Sequence, residues 1–194
     1  MEKNKKIIAI IPARGGSKRI PRKNIYPFLG KPSIQWSIEA CQKSKYISDI
    51  YISTEDAEIK EICQKLGAKI IDRPAELAED SVWPQDVLKH AIKLLEGEGI
   101  EIDIVVRVFA SPFAEAEKID EAIEKLIDKE LWEVFSVDRD GFEDAVIHIY
   151  KKECIFQQAL SVYEGVVFTD YLDINTMEDL KKAEEVLKAK YKNT

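Results

Sequence analysis

Residues 12–24, Pro-Ala-Arg-Gly-Gly-Ser-Lys-Arg-Ile-Pro-Arg-Lys-Asn, gather the groups that grip a polyanion. Arg14, Lys18, Arg19, Arg22 and Lys23 supply charge that offsets phosphate. Gly15 and Gly16 lack a Cβ, so backbone N–H groups can approach an oxyanion closely. Ser17 and Asn24 add orienting hydrogen-bond groups. The stretch reads as a phosphate-binding loop running through Ala13, Arg14, Gly15, Gly16, Ser17, Lys18, Lys23 and Asn24. A solvated basic turn is the bland alternative. The glycine pair and the position just after an apolar strand weigh against it. The stretch matches neither the G-x-x-x-x-G-K-[ST] loop of ordinary NTPases nor the G-x-G-x-x-G dinucleotide fingerprint.

Such a loop needs a sheet edge to hold it. Ile7–Ile11 is apolar on both faces, as a buried parallel strand should be. The pattern predicts further strands at 50–53, 69–71, 102–109, 134–137 and 146–150. Helical spacing predicts helices at 32–44, 55–66, 85–95, 116–128 and 176–191. Thr176 and Asp179 read as a capping pair for the last of these. This alternation implies an α/β fold: a doubly wound, mostly parallel sheet with helices on both faces. Ligands in such sheets bind beyond the carboxyl ends of strands, which directs attention to the loops after the first and fourth strands.

The chain of 194 residues carries 29 basic and 36 acidic side chains, a formal charge of −7. That balance disfavours a general nucleic-acid binder, although a local basic site is compatible with it. Cys41, Cys63 and Cys154 form no disulfide framework or zinc spacing, and they read as core fillers in a reducing cytosol. His90 and His148 are too few for a histidine metal centre. No apolar run approaches the ~20 residues that span a bilayer. The expected product is cytoplasmic, with no membrane or nucleic-acid partner. Residues 1–194 are expected to form one domain.

At this point the sequence resembles a known family. The loop 11–24 is similar to the signature of acylneuraminate cytidylyltransferases, the CMP-sialic acid synthetases and their relatives. Gly30-Lys31-Pro32, Ser53-Thr54-Glu55-Asp56, residues 73–80 (Arg-Pro-Ala-Glu-Leu-Ala-Glu-Asp), Ser111-Pro112 and residues 172–176 (Leu-Asp-Ile-Asn-Thr) follow in family order. The resemblance implies a nucleotide-diphospho-sugar-transferase-like, Rossmann-like fold. It implies transfer of CMP from CTP to a sugar hydroxyl, with release of pyrophosphate. Arg14, Ser17, Lys18 and Lys23 would line the triphosphate, and Asn24 would help hold the nucleoside. Arg14 and Lys23 would carry the catalytic charge. Arg73 and Ser111 would address the acceptor.

The family places Asp-Ile-Asp before the final helix, where this chain has Asp173-Ile174-Asn175. The resemblance implies Mg²⁺ on Asp173 and Asn175, at a site weakened by the missing charge. The family's Gln and Arg after the fourth strand are Val108 and Ala114 here, and its Ser-Ser pair is Trp83-Pro84. Arg107 is one residue from the lost Gln but is expected to point the other way, as an edge or surface residue. Residues 132–170 form a reduced version of a segment that builds a dimer-forming projection over the sugar in sialic acid synthetases. A homodimer stays open, and the resemblance implies a sugar acceptor, with a 2-keto-3-deoxy sugar acid as a candidate. Two other readings stay open: a nucleotidyltransferase for a different acceptor, and a nucleotide-binding homologue without catalysis.

Overall fold

The computed structural model describes residues 5–157, 161–172 and 174–192. Among them, seven strands form one sheet: β1 (Ile7–Pro12), β4 (Asp49–Thr54), β5 (Lys69–Asp72), β6 (Ile104–Val108), β7 (Glu133–Val137), β8 (Glu143–Lys151) and β9 (Glu164–Phe168). Two further short strands, β2 (Pro27–Phe28) and β3 (Lys31–Pro32), pair in a small hairpin. Its turn is Leu29-Gly30, both in the left-handed region at φ 49° and 80°. The helices are α1 (Ser33–Lys43), α2 (Ala57–Lys65), α3 (Pro84–Gly97), α4 (Ala116–Asp128), the single turn α5 (Lys152–Ile155) and α6 (Met177–Lys192).

The sheet order is β5-β4-β1-β6-β8-β7-β9. Adjacent strands run parallel except at β8, which is antiparallel to both β6 and β7. β1 is an interior strand, pairing with β4 and β6. It is buried on both faces because alternate residues serve different cores. Ile7, Ala9 and Ile11 pack with Ile34 and Ile38 of α1, Ile59 of α2 and Ile123 of α4. Ile8 and Ile10 pack with Leu88, Ile92 and Leu95 of α3. Each such buried side chain contributes ~1.5–3 kcal/mol, so two-sided burial fixes the register firmly.

A third cluster governs the loop. Ile20 packs with Phe28, Phe113 and Ile174, and with Leu180, Ala183 and Leu187 of α6. The capping pair is present: Asp179 Oδ2 accepts from the Thr176 N–H at 2.8 Å, and Thr176 Oγ1 accepts from the Asp179 N–H at 3.2 Å. No helix among the described residues is long and apolar enough to cross a membrane. Cys41 and Cys63 are buried and burial pushes both thiols up to about 12, as core fillers should behave.

Candidate functional site

The loop 13–24 leaves the carboxyl end of β1, as its sequence position requires. The Ala13 N–H donates to the Ser53 carbonyl at 3.0 Å, which carries the sheet pairing one residue past the strand. Gly15 is the tight point. A Cβ there would lie 2.3 Å from Asp56 Oδ2 and 2.9 Å from Asp56 Cβ, so no other residue fits without movement. Its N–H donates to Glu55 Oε1 at 2.7 Å. Gly16 faces open space and is not constrained in this way.

Four of the five loop cations line two adjoining hollows. One, of about 460 Å³, is bordered by Arg14, Ser17, Lys18, Arg19, Lys23 and Asn24. The other, of about 560 Å³, shares Arg19, Lys23 and Asn24 and adds Ser111, Phe109 and Tyr171. The fifth cation, Arg22, lines neither hollow. It sits in the left-handed region at φ 59° and ion-pairs with Asp56 at 2.5 Å and Glu58 at 2.5 Å. Asp56 also caps α2 by accepting from the Ile59 N–H at 3.0 Å. The Arg22 hydrogen bond, with help from the helix N–H groups, pulls the Asp56 carboxyl down to about 2. Arg22 is therefore a positioning residue that locks the loop to α2.

The remaining cations have definite partners. Arg14 donates to the Ala78 carbonyl and pairs with Asp80 at 2.6 Å; Lys18 pairs with the other Asp80 oxygen at 2.5 Å. Both contacts hold the Asp80 carboxyl below its usual range. Lys23 Nζ donates to the Ile174 carbonyl at 2.6 Å, joining the loop to the segment before α6. Asn24 Nδ2 donates back to the Arg14 carbonyl at 2.8 Å.

The two residues assigned to the acceptor, Arg73 and Ser111, are both buried. Arg73 is buried and donates to the Ser53 carbonyl at 2.5 Å and to Ser53 Oγ at 3.2 Å. It is an internal tie between β5 and β4, not a surface ion pair. Burial pushes it down to about 10, against the opposing pull of Glu55, and it stays cationic near neutrality. Ser111 is buried under the second hollow, where its Oγ accepts from the Phe113 N–H at 3.2 Å. Ser33 and Ser37 of α1 hold this 109–111 turn through its carbonyls.

Asp173 lies outside the described residues. Asn175 lines both hollows, and its Oδ1 accepts from Arg19 Nη1 at 2.5 Å. A guanidinium thus occupies the face of Asn175 that a cation would need. No group of three His, Cys, Asp or Glu that could hold a metal occurs among the described residues. The described donor set does not by itself fit Mg²⁺.

Arg107 departs most from expectation. It is neither at an edge nor at the surface: it is 5% exposed on the central strand β6, directly opposite His148 of β8. His148, which has no neighbour in sequence to partner it, gains two across the sheet. Its Nε2 lies 2.8 Å from Glu133 and its Nδ1 3.4 Å from Arg107. Trp83 is not core packing, being 72% exposed at the start of α3.

The sequence profile described as cytidylyltransferase matches residues 8–159. A pseudaminic acid cytidylyltransferase of Campylobacter jejuni is 41% identical over 124 residues, 63% of this chain and 53% of that protein. N-acylneuraminate cytidylyltransferase A of Danio rerio is 34% identical over 138 residues, 71% of this chain and 31% of that protein. The chain spans about half the length or less of these relatives. The solved structure of a CMP:2-keto-3-deoxy-manno-octonic acid synthetase complexed with CTP superposes with a TM-score of 0.76. It is 16% identical, the match covering 95% of this chain and 99% of that one, and it shows that the fold is shared. With the profile spanning most of the sheet and the whole cationic loop, the chain belongs to the cytidylyltransferase family.

Proposed function

We propose that residues 1–194 act as one nucleotidyltransferase domain that moves CMP from CTP to a hydroxyl of a sugar acid and releases pyrophosphate. One observation carries this reading: Arg14, Lys18, Arg19 and Lys23 converge on a single hollow at the carboxyl end of β1. In it Arg14 and Lys18 would hold the β- and γ-phosphates, which become the leaving group. Lys23, fixed by the Ile174 carbonyl, would face the α-phosphate and stabilise charge as the acceptor oxygen attacks. Asn24 and Ala13 would border the nucleoside, and Ser17 with the Gly16 backbone would border the phosphates. The protein supplies position and charge, and the nucleophile comes with the acceptor.

Magnesium supplies phosphate neutralisation in nucleotide chemistry generally. Asp173 is the carboxylate this proposal reserves for it, but the steps above use only the chain's own side chains. The sugar acids named in the relatives support a sugar acid as the acceptor class. The free thiols support a cytosolic setting.

The test is incubation of the purified protein with CTP and Mg²⁺ against pseudaminate, N-acetylneuraminate and 2-keto-3-deoxy-manno-octonate, reading pyrophosphate. Release with one sugar acid, dependent on Lys23, supports the proposal. Release only with a non-acidic acceptor would move the chain to another acceptor class. CTP binding with no release for any acceptor would make it a binding homologue.

A further inference from the structure

The face of the sheet that α3 leaves open holds a separate cleft of about 1030 Å³. Trp83, Phe109, Phe135 and Tyr150 give it aromatic walls, and Arg107 and His148 lie on its floor. This combination suits a compact hydroxylated ligand, whose ring faces stack on aromatic surfaces while its polar groups meet a few fixed donors.

The floor has an unbalanced charge. Arg107 is 5% exposed, yet its Nε is buried without a hydrogen-bond partner. Its Nη2 makes one long contact, 3.4 Å, to His148 Nδ1, and its guanidinium lies 4.5 Å from the Phe109 ring centroid. No carboxylate among the described residues forms an ion pair with it. Glu133 is committed to His148 Nε2 at 2.8 Å, and the half-exposed Glu143 lies 3.7 Å from His148 Nδ1. A buried cation without a partnered anion is costly to keep, so an anion arriving from outside would be strongly favoured there.

The cleft also borders the nucleotide hollows. Phe109 and Glu143 line both it and the hollow of about 560 Å³ that contains Lys23 and Asn24. A ligand seated over Arg107 would therefore lie beside a bound nucleotide.

We propose that this α3-side cleft is the acceptor subsite, with the Arg107 Nε–H donating to the acceptor's carboxylate and the sugar ring lying against the aromatic walls. The inference rests on the CTP-dependent reading above. It assigns to Arg107 the specificity for an acid that Val108 and Ala114 cannot provide.

The test follows the Arg107 Nε–H cross-peak in ¹⁵N-labelled wild-type protein, assigned with Arg107→Lys. Probes are N-acetylneuraminate, 2-keto-3-deoxy-manno-octonate, the methyl ester of N-acetylneuraminate, and acetate. CTP binding is measured in parallel by calorimetry. The expected result is a saturable shift with a sugar acid, none with the ester, and an affinity for acetate at least ten-fold weaker. Trp83→Ala, an exposed change, should weaken the sugar acid several-fold and leave CTP binding unchanged. An unmoved Nε–H with every carboxylate, while CTP binds, overturns this inference and leaves the CTP reading intact. Equal affinity for acetate and sugar acids also overturns it, leaving a plain anion hole. A shift with sugar acids but no CTP binding would instead defeat the nucleotidyltransferase reading, and with it the acceptor role.

Discussion

Asp80 Oδ1 lies 2.6 Å from the Arg14 guanidinium, so a carboxylate already stands where a triphosphate oxygen would be expected. Its second oxygen holds Lys18. The protein's own anion pairs with both cations, and under the proposed CTP reading it would give way as nucleotide enters. Asp80→Asn should therefore tighten CTP binding, by about three-fold given how weak exposed ion pairs are. Calorimetry at low and high salt would show it, and weaker binding would mean that Asp80 helps the bound state instead.

Gly15 and Gly16 should respond differently to the same substitution. Gly15→Ala drives a Cβ into Asp56, whose carboxylate anchors both Arg22 and the first turn of α2. CTP affinity should fall at least ten-fold as the loop shifts, since a displaced donor no longer meets its oxyanion. Gly16→Ala meets no protein atom, so it should leave the loop in place and cost less CTP affinity than Gly15→Ala. Paired titrations of the two variants settle the point.

Arg14→Ala and Lys23→Ala should each lower kcat/KM by ~100-fold, the usual scale for removing a preorganised charge. Both side chains lie in the hollows and belong to none of the buried clusters, so thermal melting should change little. Full activity in either variant would displace the site from this loop.

Asp56 makes a pH signature. Its carboxyl is held at about 2, against an ordinary 3.8, chiefly by Arg22. A depressed carboxyl contributes stability that is fully present above the ordinary value and is lost as pH falls toward the depressed one. Asp56→Asn keeps a capping side chain but loses the charge that pairs with Arg22 and the start of α2, which should cost ~1 kcal/mol at pH 7. The gap between variant and wild type should close between about pH 4 and pH 2. Chemical denaturation across that range measures it.

The first two-thirds of the fold was legible because its elements are long and periodic. The apolar run at Ile7–Ile11 and the stripes in α1 to α4 each admit one arrangement, and the observed boundaries fall within a few residues of those read from the pattern. The short pieces were not legible. The β2–β3 hairpin has two residues per strand, α5 is one turn, and β9 is a half-exposed edge strand of five residues. None gives enough repeats to show a period.

At the site, the loop's charge could be read but its division of labour could not. Arg22 resembles its neighbours in sequence, and only its left-handed backbone turns it toward Asp56. Arg107 was misplaced for a related reason. Alternation gives a strand's faces, but burial depends on which strand comes next to it, and β6 pairs with β8, whose His148 is 41 residues further along the chain than Arg107, rather than with β7.

The reversal at β8 bears on how a fold of this kind can vary. Because β8 runs against its neighbours, a tight hairpin rather than a crossover helix joins it to β7. The five residues 138–142 close that hairpin at the ligand rim, through Asp138 and the turn at Gly141. A hairpin tip can lengthen or shrink without disturbing either hydrophobic layer. Changes at that tip would reshape the hollow beside Lys23 and Asn24, which Asp138 and Phe142 line, while both hydrophobic layers stay as they are.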